Sequence, residues 1–446
     1  VLLLGASGSG KSTLLAGLAG VLGGDDDGEA RGRLLIDGVP ATAARGRVGL
    51  VLQDPETQVL MARVGDDVAF GCENLGVPRD EIWRRVDDVL DAVGLRMPRD
   101  HPSERLSGGQ KQRLALAGVI AMRPGLILLD EPTANLDPDG VQEVVEAVAA
   151  LAASTGSTVI VVEHRVAAWR HFAGRVVVLG PGGSIIADGN PDAVLEREGA
   201  ALAAMGVWVP GREPRARFEA PELGAALLTA EGLAVSREPG RVILGELDFA
   251  IAERQAVAVS GPNGVGKSTL ALTVAGLIAP TAGVLRAEPT LASGLGPHAI
   301  RWKSRDLLPR IGVVFQSPEH QFLASTVRGE LAVGPRALKM SPTAVAERVD
   351  ELLGRLGLTA LADAHPFTLS GGQQRRLSVG TALAASPRLL VLDEPTFGQD
   401  AVTWLALVRL FAEVRDAGTA LLMVTHDELL APSLDATPWE LGRRAA

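Results

Sequence analysis

The stretch Gly5-Ala6-Ser7-Gly8-Ser9-Gly10-Lys11-Ser12-Thr13 follows an apolar run at residues 1–4 and opens a second apolar run at 12–22. It returns as Gly261-Pro262-Asn263-Gly264-Val265-Gly266-Lys267-Ser268-Thr269, between apolar runs at 256–260 and 268–278. A strand, a G-x4-G-K-S loop and a helix in that order make a phosphate cradle. Glycines let backbone N–H groups approach phosphate oxygens, and the helix N-terminus adds partial positive charge. Lys11 and Lys267 bring full charge to the β- and γ-phosphates, and the Ser12 and Ser268 hydroxyls can ligate magnesium. One match alone could be a glycine turn; two in the same context argue against that reading.

Outward from the two loops the chain repeats itself. Gln53 in VGLVLQDPETQ matches Gln316 in IGVVFQSPEHQ, Ser107 in LSGGQ matches Ser370, and Asp130 in LILLDEPT matches Asp393 in LLVLDEPT, all at an offset of 263. His164 and His426 lie 262 apart and the glycine-loop lysines 256 apart. Five stations in one order mean a duplicated domain. The reading assigns residues 1–205 to the first domain, 206–226 to a linker mixing Pro, Gly and charge, and 227–446 to the second. Copy two carries seven more residues between its loop and its glutamine, within 287–310, where Gly, Pro and Ser predict a longer surface loop. Residues 228–260 precede the second loop but four precede the first, so the first copy is expected to lack its opening strands and the chain to start inside a domain.

Runs apolar at every position (126–129, 389–392, 159–162 and 420–424) alternate with helical segments. They predict an α/β fold, a mostly parallel sheet covered on both faces in each copy. Helical periodicity over 80–93 and 342–356 predicts an α-helical subdomain beside each core.

With 446 residues, the chain is long enough for two or three ordinary cores. Its 43 Lys and Arg against 53 Asp and Glu give a net charge of -10, which repels polyanions, so nucleic acid is not expected as a partner. The single cysteine, Cys72, excludes an internal disulfide and a thiolate metal cluster, and fits a reducing cytoplasm. No run approaches the ~20 apolar residues of a membrane span, and no secretion signal is read.

Asp130-Glu131 and Asp393-Glu394 end all-apolar strands beside the cradles. Asp suits the hydrated magnesium and Glu the polarisation of an attacking water, although an acid pair at a helix start is also favoured by the helix dipole. Asp137 and Asp400 could cap the next helix or reach across a dimer interface. LSGGQ (Ser107-Gly108-Gly109-Gln110 and Ser370-Gly371-Gly372-Gln373 after leucine) sets a hydroxyl and two glycines at a helix start. It is either an ordinary turn or a second anion site in a domain that already has one.

Glycine loop, glutamine, LSGGQ, D-E-P-T and histidine, in this order and twice, resemble the nucleotide-binding domains of ABC ATPases, over nearly the whole chain. Within that family VGLVLQDPETQ, DDVAFG at 66–71 and TFGQD at 396–400 resemble the ATPase components of energy-coupling-factor importers, which move vitamins and transition-metal ions. The resemblance implies two phosphate-loop ATPase domains that close head to tail over ATP and Mg2+, each LSGGQ capping the other copy's nucleotide. One site would join Lys11, Ser12, Gln53, Asp130, Glu131 and His164 to Ser370, Gly371 and Gly372; the other would join Lys267, Ser268, Gln316, Asp393, Glu394 and His426 to Ser107, Gly108 and Gly109. In that scheme Gln53 and Gln316 sense magnesium and the lytic water, and His164 and His426 touch the γ-phosphate. It also implies a separate transmembrane coupling subunit, a substrate-binding membrane subunit, and a peripheral place on the cytoplasmic face of the membrane. The family's aromatic adenine platform has no tyrosine to supply it, since the chain has none, and Arg237 stands near the expected place in copy two. A tandem ATPase acting on the ribosome or on nucleic acid is the rival reading; the short linker and the acidic balance speak against it.

Overall fold

Leu2, Leu3 and Leu4 are all buried, yet they join two different apolar clusters: Leu2 and Leu4 one, Leu3 the other. Successive side chains on a strand point to opposite faces, so a strand that is apolar at every position needs a cover on both. The computed structural model describes residues 1–442 except Ser7, 23–31, Arg45, 54–56, 134–135, Asp137, 164–165, 238–241 and Asn263. Ser7, Asn263, His164, Asp137 and the 238–240 part of the expected adenine-binding stretch therefore lie outside the described residues.

The chain divides into two units, Val1–Glu213 with Asp400–Val402, and Pro214–Gln399 with Thr403–Ala446. In the first, β1 (Leu2–Gly5) is followed by a short hairpin of β2 (Leu35–Ile36) and β3 (Val39–Pro40), and then by β4 (Val48–Val51), β5 (Leu126–Asp130), β6 (Thr158–Val162), β7 (Val176–Leu179) and β8 (Ile185–Gly189). The main sheet has the order β4-β5-β6-β1-β7-β8. All its neighbours are parallel except β7 and β8.

The helices of this unit are α1 (Lys11–Leu18), α2 (Val64–Asn74), α3 (Arg79–Ala92), α4 (Gly108–Ala121), α5 (Pro138–Thr155), α6 (Val166–Trp169) and α7 (Pro191–Ala204). Ile82, Val86, Val89 and Leu90 put one stripe of α3 into the core, the spacing that makes a helix one-sided. They pack with Val68, Cys72 and Leu114 in the expected helical subdomain. Cys72 is a core residue whose thiol donates to the Ala121 carbonyl at 3.2 Å.

The second unit opens with β9 (Ala226–Val235) and β10 (Leu244–Ala252), followed by β11 (Ala256–Ser260), β12 (Ala282–Ala287), β13 (Ile311–Val314), β14 (Leu389–Asp393), β15 (Ala420–Val424) and β16 (Thr437–Glu440). Its parallel sheet runs β13-β14-β15-β11-β16, the order of β4-β5-β6-β1-β7, and β10-β9-β12 form a separate antiparallel sheet. That second sheet changes the environment of the helix after the glycine loop, α8 (Lys267–Val274). Leu270 on α8 is 1% exposed, whereas its counterpart Leu14 on α1 is 41% exposed.

The remaining helices are α9 (Pro289–Ala292), α10 (Ser304–Leu307), α11 (Val327–Ala337), α12 (Pro342–Arg355), α13 (Gly371–Ala384), α14 (Ala401–Asp416) and α15 (Leu430–Ser433). The extra residues at 287–310 are more than a surface loop: α9 and α10 lie in them, and Leu291, Ala292 and Ala299 are buried in the core of this unit. Leu291 comes two residues after a helix-starting proline, so local turn chemistry masked its core role.

Arg415 on α14 has no exposed side-chain surface. Its guanidinium donates to the carbonyls of Leu434 (2.5 Å), Glu219 (2.7 Å) and Phe218 (3.4 Å), tying the start of this unit to its last helix. Replacing it with leucine strands those acceptors. The Arg415→Leu chain should lose about 3 kcal/mol in urea unfolding, against a few tenths for the exposed Arg197→Leu.

Candidate functional site

Each glycine loop turns from an inner strand of the sheet into a helix through a left-handed glycine: Gly10 has φ 90°, ψ 15° and Gly266 has φ 108°, ψ 15°. A Cβ at Gly5 would lie 2.5 Å from the Leu179 carbonyl oxygen, and one at Gly261 would lie 2.5 Å from that of Leu441. Gly5 and Gly261 demand glycine for clearance and for conformation together, with φ of 154° and 144°. Gly8 and Gly264 face open space, where an anion can sit.

Lys11 Nζ donates to the Gly5 and Ala6 carbonyls, both at 2.9 Å, and Lys267 Nζ to those of Gly261 (2.7 Å) and Pro262 (3.0 Å). The ammonium groups are thus held at the mouth of the loop by weak acceptors that a phosphate would outcompete. Burial lowers Lys11 below the ordinary lysine value, while the carboxylates of Glu131 and Asp130 pull it back up.

The acidic pairs stand where the strands β5 and β14 end, buried from their second residue on. Glu131 and Glu394 take left-handed backbone conformations, φ 49° and 51°. Their N–H groups donate at 2.9 Å to the carbonyls of Val162 and Val424, the last residues of the neighbouring strands. A non-glycine residue held there costs on the order of 1 kcal/mol or more, which the adjoining sheet sustains, and the turn aims each carboxylate back at the cradle. Asp393 is raised by burial, and the Ser268 hydroxyl hydrogen-bonded to it acts in the opposite sense. Burial, reinforced by the neighbouring Asp393 carboxylate, pushes Glu394 up to about 8. A serine hydroxyl beside an aspartate is an all-oxygen donor pair, which suits a magnesium ion that keeps most of its water and contacts bound phosphate.

Several other expected residues converge on these carboxylates. Gln53 Nε2 donates to Glu131 Oε2 at 2.9 Å. The backbone N–H of His426 donates to Glu394 Oε1 at 3.1 Å, with its ring Nε2 4.0 Å from the same oxygen. Gln316 does not follow Gln53: its side chain is exposed and forms no hydrogen bond among the described residues. Ser12 and Thr13 are exposed at the start of α1, while Thr269 is buried on α8. Val265 packs against the core of its unit. The LSGGQ residues of each unit are drawn into its own helix start. Ser107 and Gln110 exchange side-chain hydrogen bonds with each other's backbone, and the Ser370 N–H donates to Gln373 Oε1 at 2.9 Å. Both serines are exposed, Gly108 has open space beside it, and Gly372 approaches the Gly398 carbonyl. Arg237 is exposed, and its charge is felt at Asp393.

Sequence reasoning missed three supporting pairs. Gln58 Oε1 accepts from the Leu52 N–H at 2.7 Å and Gln321 Oε1 from that of Phe315 at 3.3 Å, so the second glutamine of each segment folds it back on its own strand. Asp67 Oδ1 accepts from the N–H groups of Leu60 and Met61, and Glu330 Oε2 from those of Leu323 and Ala324, all within 2.8 Å. The DEPT threonines lean on the histidine strands: Thr133 bonds Glu163, and Thr396 donates to Asp427 at 2.8 Å. The only advance signal was that the first two pairs recur at the repeat offset, as do the threonines of the third.

The ABC transporter family profile matches residues 1–134 and 244–397. The chain belongs to that family. A Bacillus subtilis (strain 168) protein provisionally named the HMP/thiamine import ATP-binding protein YkoD is 36% identical over 97% of this chain and 82% of its own length. A Methanosarcina mazei protein provisionally named as an ABC transporter ATP-binding protein is 33% identical over 97% of this chain and 80% of its own. The archaeal ribosome recycling factor aABCE1, solved in complex with the ribosomal stalk protein aP1, superposes with a TM-score of 0.62 over 97% of this chain and 81% of that one. At 22% identity that likeness concerns the fold alone. The chain is therefore a tandem ABC ATPase that binds and hydrolyses ATP.

Gln58→Ala removes the side chain that folds the first glutamine segment back on its own strand and touches neither glycine loop. Turnover should fall roughly tenfold, about 1.4 kcal/mol, at nearly unchanged ATP affinity, a split that stopped-flow binding beside steady-state hydrolysis would measure.

Proposed function

We propose that this chain energises an energy-coupling-factor type importer for a vitamin or a transition-metal ion, through two composite ATP sites that form when its domains, 1–205 and 227–446, close head to tail. The observation that carries the reading is the exposed pair of LSGGQ helix starts, each a spare anion site in a unit that already has a phosphate loop. Identity to a protein named for HMP/thiamine import over nearly the whole chain supports the importer class.

At each site the residues divide the work. The glycine-loop N–H groups and Lys11 or Lys267 hold the β- and γ-phosphates and neutralise charge that grows on transfer. Ser12 with Asp130, and Ser268 with Asp393, would hold Mg2+, which would supply positive charge against that of the phosphates. Glu131 and Glu394 accept the proton of the attacking water. Gln53 and Gln316 orient that water and report it to the helical subdomain, and His164 and His426 face the γ-phosphate. Ser107, Gly108 and Gly109 of one domain, and Ser370, Gly371 and Gly372 of the other, complete the opposite site, with Gln110 and Gln373 bracing those helix starts.

The partners are a transmembrane coupling subunit and a substrate-binding membrane subunit on the cytoplasmic face of the membrane; among the described residues no helix is long and apolar enough to cross it. The docking surface is the segment after each glutamine, where Leu60 is 65% and Leu323 80% exposed, two large apolar side chains at equivalent positions. Val59 and Phe322 beside them are half-buried and anchor the segments.

Two outcomes test this. Glu131→Gln with Glu394→Gln should cut magnesium-dependent hydrolysis by about 10²- to 10⁴-fold while ATP still binds; hydrolysis at the parental rate would remove these carboxylates from the mechanism. Leu60→Asp with Leu323→Asp should abolish uptake in reconstituted vesicles and release the membrane subunits on purification, with hydrolysis by the isolated chain kept within about twofold. Normal uptake would place the docking surface elsewhere.

A further inference from the structure

The two signature helices, α4 and α13, differ along the one face that meets the glutamine segment. On α13 that face carries Arg375, Ser378 and Thr381, three residues apart and so aligned on one side of the helix. Arg375 is 3% exposed, and its Nη1 donates to the Phe315 carbonyl at 2.6 Å and to that of Asp393 at 3.4 Å, while Nη2 donates to the Gln316 carbonyl. Gln321 Nε2 donates to the Thr381 hydroxyl at 2.5 Å and to the Ser378 carbonyl at 3.1 Å, and the Ser378 hydroxyl donates back to Gln321 Oε1 at 2.8 Å. The whole 315–321 segment is thereby fastened to the signature helix and to the end of the strand that carries Asp393.

At the repeat offset of 263 the same three places on α4 are Gln112, Ala115 and Gly118. Alanine and glycine offer no hydroxyl. Gln112 is 1% exposed, and neither its amide nitrogen nor its amide oxygen has a hydrogen-bond partner among the described residues. A guanidinium has five N–H groups in a rigid fork that can span carbonyls from two strands; a carboxamide has two on a shorter stem. In the first unit, accordingly, the partners of Gln58 among the described residues are the Leu52 N–H and the Leu50 carbonyl of its own strand. The difference reaches the reacting groups: Gln53, with a glutamine in place of that arginine on the facing helix, meets Glu131 at 2.9 Å, whereas Gln316, with its carbonyl held by Arg375, leaves its side chain in solvent.

We propose that Arg375, Ser378 and Thr381 are positioning residues that latch the glutamine segment of the second unit, and that their absence from the first makes the two ATP sites unequal, the Lys11 site turning over faster than the Lys267 site. The latch acts within one unit. It rests on the ATPase activity and not on the importer reading, so transport can fail without touching it.

Two readouts on the whole chain test it. Hydrogen–deuterium exchange without nucleotide should be slower across 315–324 than across 52–61. Replacing the latch (Arg375→Gln, Ser378→Ala, Thr381→Ala) should bring the second segment to the rate of the first. Vanadate trapping of photoreactive 8-azido-ATP, mapped by peptide, should label the Lys11 loop at least about fivefold more than the Lys267 loop, the rate equivalent of one net hydrogen bond. The unlatched chain should bring the two within about twofold. Equal labelling of both loops in the parent overturns the proposal, as does equal exchange of the two segments. Should the triple variant fail to fold, the parental comparisons decide alone, and Gln112→Arg, expected to slow exchange at 52–61, serves as the converse. Faster or unchanged exchange in that variant counts against the latch.

Discussion

A strand buried on both faces can bring charge out only at its ends. β5 and β14 meet that constraint with an aspartate as last residue and a glutamate just beyond it, forced into a left-handed turn by a hydrogen bond to the adjacent strand. Everything else at the site is arranged around that exit. The glycine loop leaves an inner strand of the same sheet, at its carboxyl edge, and the glutamine strand ends beside the acidic one. Burial acts on these groups in opposite senses, lowering Lys11 and raising Glu394.

The parallel cores were legible because their strands are apolar at every position, and 420–424 was read to the residue. So were the acidic pairs and the glycine loops, which have fixed neighbours in the sequence. The capping role of Ser107 was harder to see, since the same four letters spell a turn, a cap or an anion site, and the cap appears only when Gln110 is found folded over it. Bonds from side chain to backbone across the fold, such as Asp67 to Leu60 and Met61 or Arg375 to Phe315, leave no periodic trace. The misjudged stretch was 287–310, where turn-forming residues outnumber the few buried ones, Leu291 and Ala299, that anchor it. Gln316 shows a different limit: its motif matches that of Gln53, but its placement depends on a buried arginine 59 residues away.

Comparison of the copies separates what the chemistry requires from what it tolerates. Both keep the glycine that no Cβ could replace, the lysine bonded to its own loop, the left-handed glutamate and the carboxylate that holds the segment after the glutamine. They differ in the sheet beside the first helix, in the length of chain before the glutamine, and in the inner face of the signature helix. Divergence therefore lies one layer behind the reacting groups, where a change alters how a group is held and leaves its identity alone.

The unpaired amide of Gln112 and the buried guanidinium of Arg375 occupy the same station in two copies encoded by a single gene. A homodimer would have to carry any substitution twice, and a residue that helped one half would be imposed on the other. Fusion lifts that rule. Each half can drift toward its own task, so a motor with a leading and a following stroke can evolve by single mutations, with symmetry broken in the genome before it is broken by any ligand.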